Sequence, residues 1–191
     1  MNALTVNGKQ LTIDGVEILG YGAPSPVLEE VTIGNQIWLA KNLAIDDGQG
    51  GIYTQTVNYG QGDVVVYYYT WNAAVRVAAS IQGWHLPTVA EWDTLANTIG
   101  SDIAGTKLKS TYGWNNDGNG TDDYGFAVFP AGYWYSSEYY SFGTLSYFWT
   151  ATTRSSSLAY GRRFSDSSSS CTQFSGYKTG NYSVRLVKDA T

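Results

Sequence analysis

Charge is scarce in this chain, as are cysteine, histidine, methionine and proline. Charged residues make up 14%, and the deficit is filled by 22 Gly, 16 Tyr, 7 Trp and many Ser and Thr. That mixture favours loops and recognition surfaces over long helices. A single cysteine, Cys171, excludes an intramolecular disulfide, and a single histidine, His85, leaves no zinc site of the Cys/His kind. The same scarcity leaves one candidate base for any Ser/His/Asp or Cys/His arrangement. His85 stands just before a helix cap, where a ring hydrogen-bonded to backbone is expected. No run approaches 18 apolar residues, so no membrane insertion is expected. The N-terminal stretch MNALTVNGKQLTIDG has neither the basic nor the apolar region of a signal peptide. It reads as a soluble chain made in the cytoplasm, although a chain trimmed of its leader would read the same.

Basic excess is lacking too. A net charge of -5 and a pI of 4.7 argue against a nucleic-acid partner. The charge is nevertheless unevenly placed. Arg154, Arg162, Arg163, Lys178, Arg185 and Lys188 lie after residue 150 with only Asp166 and Asp189 among the acids, which leaves the tail at +4 and the preceding body at -9. A basic tail folded onto an acidic body accounts for this, and a site for acidic ligands is the alternative.

At 191 residues the chain suffices for one domain with a core and a small N-terminal element. Residues 1–28 read as an attachment segment. ALTVNGKQLTI places Asn-Gly between alternating apolar positions, a tight-hairpin signal, and two prolines follow in YGAPSPVLEE. So small a hairpin cannot bury a core, so it is expected to pack on the main domain or on another copy of the chain. Residues 29–191 then form the main domain. VTIGNQIWLAKNL and VVVYYYTW read as strands and TWNAAVRVAAS as a helix. In LPTVAEWDTLANTIG, Thr88 and Glu91 form a capping box, Trp92, Leu95, Ala96 and Ile99 line one face, and Gly100 stops the helix. Beyond Gly100 the pattern turns to glycine, aromatics and short apolar segments. The fold class is therefore α+β, with two helices early and strands and loops after.

Six segments in one order carry a family resemblance: IGNQIWLAKNL, YTWNAA, GWHLPTVAEWDTL, TDDYGFAVFPAG, FWTAT and SVRLVKD. Together they make residues 31–189 resemble the Fibrobacter succinogenes major paralogous domain family. The resemblance implies the C-type lectin fold of the formylglycine-generating-enzyme branch, with a small twisted antiparallel sheet and long ordered loops. It also implies kinship with the variable proteins of diversity-generating retroelements, among them phage receptor-binding proteins. In those proteins adenine-bearing codons between an FWTAT-like and an SVRLVKD-like frame are rewritten. Oxidase activity, known in that branch, needs a pair of cysteines for copper, and this chain offers one.

Between these frames the residues themselves suggest display. Phe148, Trp149, Ala159, Val184, Leu186 and Val187 are expected to anchor strands. Arg154, Ser155, Ser157, Leu158, Gly161, Arg163, Ser165, Asp166, Phe174, Tyr177, Asn181 and Tyr182 are the candidate ligand-binding positions, able to vary wherever they face solvent. Tyr and Arg supply contact energy there, and Ser and Gly adaptable fit. Tyr135, Tyr139 and Tyr140 are further candidates for exposed contacts, and Trp38, Trp71, Trp84 and Trp92 for the core. WNNDGNGTDDYG resembles part of a calcium loop through Asn115, Asp117 and Asn119, but its twelfth position is Phe126 rather than Glu, and the same residues mark a plain turn. No catalytic residue and no other cofactor is expected. The expected partner is a protein or glycan receptor on another cell, met from a phage tail or a cell surface. The alternative is a bacterial adhesion or carbohydrate-binding protein of fixed specificity.

Overall fold

The computed structural model describes residues 28–190, together with three short strands before them: β1 (Thr5–Val6), β2 (Leu11–Ile13) and β3 (Val16–Glu17). These pair antiparallel in the order β1-β2-β3. The Asn7-Gly8 turn expected between β1 and β2 lies outside the described residues.

Val31–Leu43, expected as one strand, is a hairpin of β4 (Glu30–Ile33) and β5 (Gln36–Leu39). Ile33 pairs with Gln36, so the loop is Gly34-Asn35, and Gly34 takes a φ of 62°. Glycine at the first of two central positions is what a type II′ turn requires. A second hairpin follows, β6 (Ile52–Asn58) with β7 (Asp63–Tyr69). Thr70 then caps α1 (Trp71–Ala79), accepting the Ala73 N–H, and Ala73, Ala74, Val77 and Ala78 form its buried face. α2 (Val89–Ile99) has the expected capping box, buries Trp92, Leu95, Ala96 and Ile99, and ends at Gly100. A third helix, α3 (Ala104–Leu108), was not expected. It is five residues long and has no side-chain cap, too short to leave an apolar periodicity.

The remaining strands are β8 (Tyr133–Tyr135), β9 (Glu138–Tyr140), β10 (Leu145–Thr153), β11 (Leu158–Ser165), β12 (Thr172–Tyr177) and β13 (Val187–Asp189). They give a β8-β9 hairpin, a β10-β11-β12 sheet, and a third strand for the β4-β5 hairpin in the order β13-β5-β4. The fold is mixed α and β, with three helices and several small antiparallel sheets among the described residues.

Alternation along the strands divides the core. Phe148 and Phe164 join Trp38, Trp92 and Phe126 beneath α2, whereas the neighbouring Trp149 joins Tyr69, Leu43 and Leu186 beneath α1. Trp38 and Trp92 meet at 4.7 Å between ring centroids. A third cluster packs Tyr59, Val66, Tyr68 and Ala131 against Phe129 and Phe142. Each large apolar side chain buried this way is worth about 1.5–3 kcal/mol. Trp71 and Trp84, expected in the core, are half-buried at its edge, with Lys178 and Lys188 ammonium groups over their rings at 4.2 and 4.8 Å.

Candidate functional site

The β10-β11-β12 sheet holds most of the candidate positions, and its register decides which of them meet. Tyr147 pairs with Arg163 and Arg163 with Thr172; Trp149 pairs with Gly161 and Gly161 with Phe174. Successive side chains alternate between faces, so Tyr147, Arg163 and Phe174 share the face opposite α2. Phe148, Arg162 and Phe164 take the α2 face, where the Arg162 guanidinium donates to the Val89 carbonyl and to the Asp93 carboxylate.

On the first face lies a cluster of rings. Tyr147 meets Phe174 at 5.0 Å (77° between planes), Tyr182 at 5.3 Å (30°) and Tyr133 at 5.6 Å (88°), while Phe174 meets Tyr182 at 5.2 Å. Tyr133 also stacks on Tyr140 at 5.5 Å. Edge-to-face and offset pairs at these distances contribute about 0.5–1.5 kcal/mol each beyond area burial, so the rings are held in place without a ligand. Tyr133, Tyr147, Phe174 and Tyr182 are half-buried, Tyr140 is exposed, and the exposed Arg163 borders them. Burial raises the Tyr147 hydroxyl above its ordinary pKa although the Arg163 guanidinium opposes it. Burial likewise pushes Tyr182 up to about 12. The hydroxyls therefore stay protonated at neutral pH and able to donate hydrogen bonds.

Tyr182 is placed from below. Its N–H donates to the Tyr69 carbonyl at 3.1 Å and its carbonyl accepts the Tyr69 N–H at 2.8 Å, while the next residue, Ser183, bonds β10 through Tyr147 and Trp149. The β8-β9 hairpin is fixed to the same segment, because the Trp134 N–H donates to the Asn181 carbonyl and the Asn181 amide to the Trp134 carbonyl.

The candidate residues thus fall into separate groups. Arg163, Phe174 and Tyr182 come together on the ring face. Arg154, Ser155 and Ser157 are exposed on the β10-β11 turn, where the Ser155 hydroxyl accepts the Ser157 and Leu158 N–H groups. Leu158 and Tyr177 pair with each other on the α2 side of the sheet, beyond the reach of that helix. There Arg154 donates to the Ser175 hydroxyl at 2.6 Å.

Two candidates, Gly161 and Asn181, need correction. Gly161 is buried, and a side chain there would bring Cβ within 2.5 Å of the Phe148 carbonyl and into the Phe174 ring. It is a point of close approach, not a displayed position. Asn181 is buried too, and its amide anchors the β8-β9 hairpin. Ser165 and Asp166 sit at the far end of β11. Lys109 donates to the Ser165 and Ser168 carbonyls, and Asn116 donates to the Asp166 carboxylate at 2.7 Å. The serine run then lies beside α3: the Ser169 carbonyl accepts the Thr106 N–H and its hydroxyl donates to the Asp102 carbonyl, where Gly105 leaves room.

Reading the sequence did not single out Tyr133 and Tyr147, the rings that join the parts of the cluster. The available signal was their alternation with the buried neighbours Ser146 and Phe148, which sends Tyr147 outward. Tyr135, Tyr139 and Tyr140 are exposed, as expected.

Elsewhere, the His85 ring pairs with the Glu91 carboxylate at 2.5 Å rather than with backbone. Burial alone would raise the Glu91 carboxyl, but hydrogen bonds from the Thr88 N–H, His85 and the Thr88 hydroxyl outweigh it and hold the group below its ordinary value. The Cys171 thiol is buried and pushed up by that burial, away from thiolate character. In the Asn115–Asn119 stretch, Asn116 and Asp117 have positive φ and the Asn119 side-chain Oδ1 accepts the Trp114 N–H, as in a turn. No group of three or more His, Cys, Asp or Glu is gathered among the described residues. A cleft of about 610 Å³ lies between Ala40–Ala44, Val64–Tyr67 and the loops bearing Tyr112 and Phe129, and none of the candidate residues lines it.

A framed sheet with an outward ring cluster describes a class of domain by its geometry. Residues 31–188 match the Fibrobacter succinogenes major domain, and the chain belongs to that family. Neither a curated protein nor a solved structure matches it.

Proposed function

We infer that the protein is a non-enzymatic ligand-binding protein with a C-type lectin-like domain, whose ring face and adjoining β10-β11 turn meet a receptor. The observation that carries this reading is the half-exposed cluster of Tyr133, Tyr147, Phe174 and Tyr182 bordered by the exposed Arg163. A surface of prearranged aromatic rings and an exposed guanidinium with no carboxylate partner among the described residues provides contact energy with little ordering cost. The C-terminal segment is a diversified one, of the retroelement variable kind: its exposed residues stand on a frame of buried ones, so the displayed positions can change without opening a cavity. The receptor is a protein or glycan on another cell, and the display is from a phage tail or a cell surface.

The test compares Arg163→Ala with Phe174→Ala, alone and together, for receptor binding and thermal unfolding. Retained folding with lost binding is the expected outcome, and retained binding in the double variant contradicts the reading. The stacked Tyr133–Tyr140 pair also favours a second reading, a saccharide-binding face of fixed specificity, since such rings stack on sugars. A glycan array distinguishes it.

A further inference from the structure

The β8-β9 hairpin has no part in the C-terminal segment, yet it carries the densest group of exposed tyrosines among the described residues. Tyr135 is 62% exposed, Tyr139 42% and Tyr140 37%. Its pairing places Tyr133 opposite Tyr140 and Tyr135 opposite Glu138, while Trp134 pairs with Tyr139. Tyr133, Tyr135, Glu138 and Tyr140 therefore share one face, and Trp134 and Tyr139 the other. The first face runs into the sheet's ring cluster through Tyr133, which touches both Tyr147 and Tyr182. The second turns inward: Trp134 stacks on Tyr53 at 5.8 Å, and Tyr139 meets Phe142.

The hairpin is also held rigidly. Asn181 bonds Trp134 at both ends of its peptide unit. Its turn is Ser136-Ser137, both with positive φ at 51° and 68°, a conformation that costs serine about 1–2 kcal/mol each and persists only where surroundings enforce it.

Charge divides this composite face. Among the described residues no carboxylate lies within ion-pair distance of Arg163, whereas Arg162 and Lys188 are paired with Asp93 and Glu30. At the hairpin end, Glu138 accepts the Tyr140 hydroxyl and has no cationic partner among the described residues. Tyrosine and serine on a rigid support, with opposite charges at the two ends, suit a protein partner better than a neutral sugar.

We propose that the Tyr133–Tyr140 hairpin and the β10-β11-β12 ring face form one combining surface for a protein segment. That segment presents a carboxylate to Arg163, an apolar or aromatic middle to the rings, and a basic group to Glu138. The proposal rests on the sheet face being the ligand surface.

Panning a random peptide display library on the folded protein tests it. Enriched peptides are expected to carry an acidic and a basic residue flanking apolar ones. Arg163→Glu reverses the acidic preference and Glu138→Lys the basic one. Tyr135→Ala and Tyr140→Ala each weaken a selected peptide on the order of tenfold, whereas Tyr139→Ala, an exposed tyrosine on the wrong face, leaves binding unchanged. Tyr135 makes no ring pair among the described residues, so its variant keeps the test open if Tyr140→Ala unfolds. Loss on changing Arg163 but not Tyr135 or Tyr140 overturns the composite surface and leaves the sheet-face reading intact; indifference to all three overturns both. Enrichment without charged residues, or binding to saccharides alone, overturns the partner class.

Discussion

Gly161 and Arg163 stand two residues apart on β11 and point to the same side of the sheet, yet the structure asks opposite things of them. A Cβ at Gly161 would press on the Phe148 carbonyl and the Phe174 ring, so Gly161→Ala is expected to destabilise the fold by about 1–3 kcal/mol, as overpacking does. Arg163→Ala removes an exposed side chain and is expected to stay within about 0.5 kcal/mol. Chemical denaturation of the two variants checks the contrast, and equal losses would contradict it. Sequence alone could not separate such neighbours. Gly161 and Asn181 look as interchangeable as the serines around them, and only the ring and the hairpin packed against them, both distant in the chain, make them fixed. Phe148 and Trp149, by contrast, could be read as anchors from their size alone.

Among the elements, those with local signals were legible. The Thr88–Glu91 box predicted where α2 begins because capping needs only residues three apart, and the helix stops at Gly100 as expected. The β4-β5 turn was missed because alternation continues across Gly34-Asn35, and α3 because five residues hold no period. The capping box has a pH dependence that follows from its geometry. The Glu91 carboxyl is held below its ordinary value near 4.5 in the folded protein, so the unfolded chain binds the proton more readily and stability rises with pH through this group. Its contribution is present above about pH 4.5 and is lost as pH falls through the lower folded value. Glu91→Gln is expected to flatten this acid limb, which unfolding curves between about pH 3 and 6 would resolve against the unaltered protein. Thr88→Ala, which removes the cap itself, is expected to cost about 1 kcal/mol.

Across the whole molecule, the uneven charge of the sequence has a division of labour. Arg162 and Lys188 bind the acidic body through Asp93 and Glu30, as intramolecular complementarity predicts. Arg185 is buried completely and holds three segments together, donating to the Leu39 and Phe126 carbonyls and to the Asn42 side chain, with its guanidinium 4.4 Å from the Phe126 ring centroid. Burial pulls its pKa down to about 9, with Asp122 opposing, so the charge persists at neutral pH. A lysine there has a point charge in place of a planar fork. Arg185→Lys is therefore expected to leave acceptors unsatisfied and to cost on the order of 2–3 kcal/mol, seen as a lowered midpoint of thermal unfolding. The remaining cations of the tail, Arg154, Arg163 and Lys178, have no carboxylate partner among the described residues and stand where a ligand can reach them. The proposed display requires this surface to vary while its frame does not, and the direct test is sequencing of the gene across the source population. Substitutions concentrated at Arg154, Ser155, Ser157, Arg163, Phe174 and Tyr177, with Gly161, Arg162, Asn181 and Arg185 unchanged, are the predicted result. An invariant segment, or substitutions spread equally over exposed and buried positions, would contradict it.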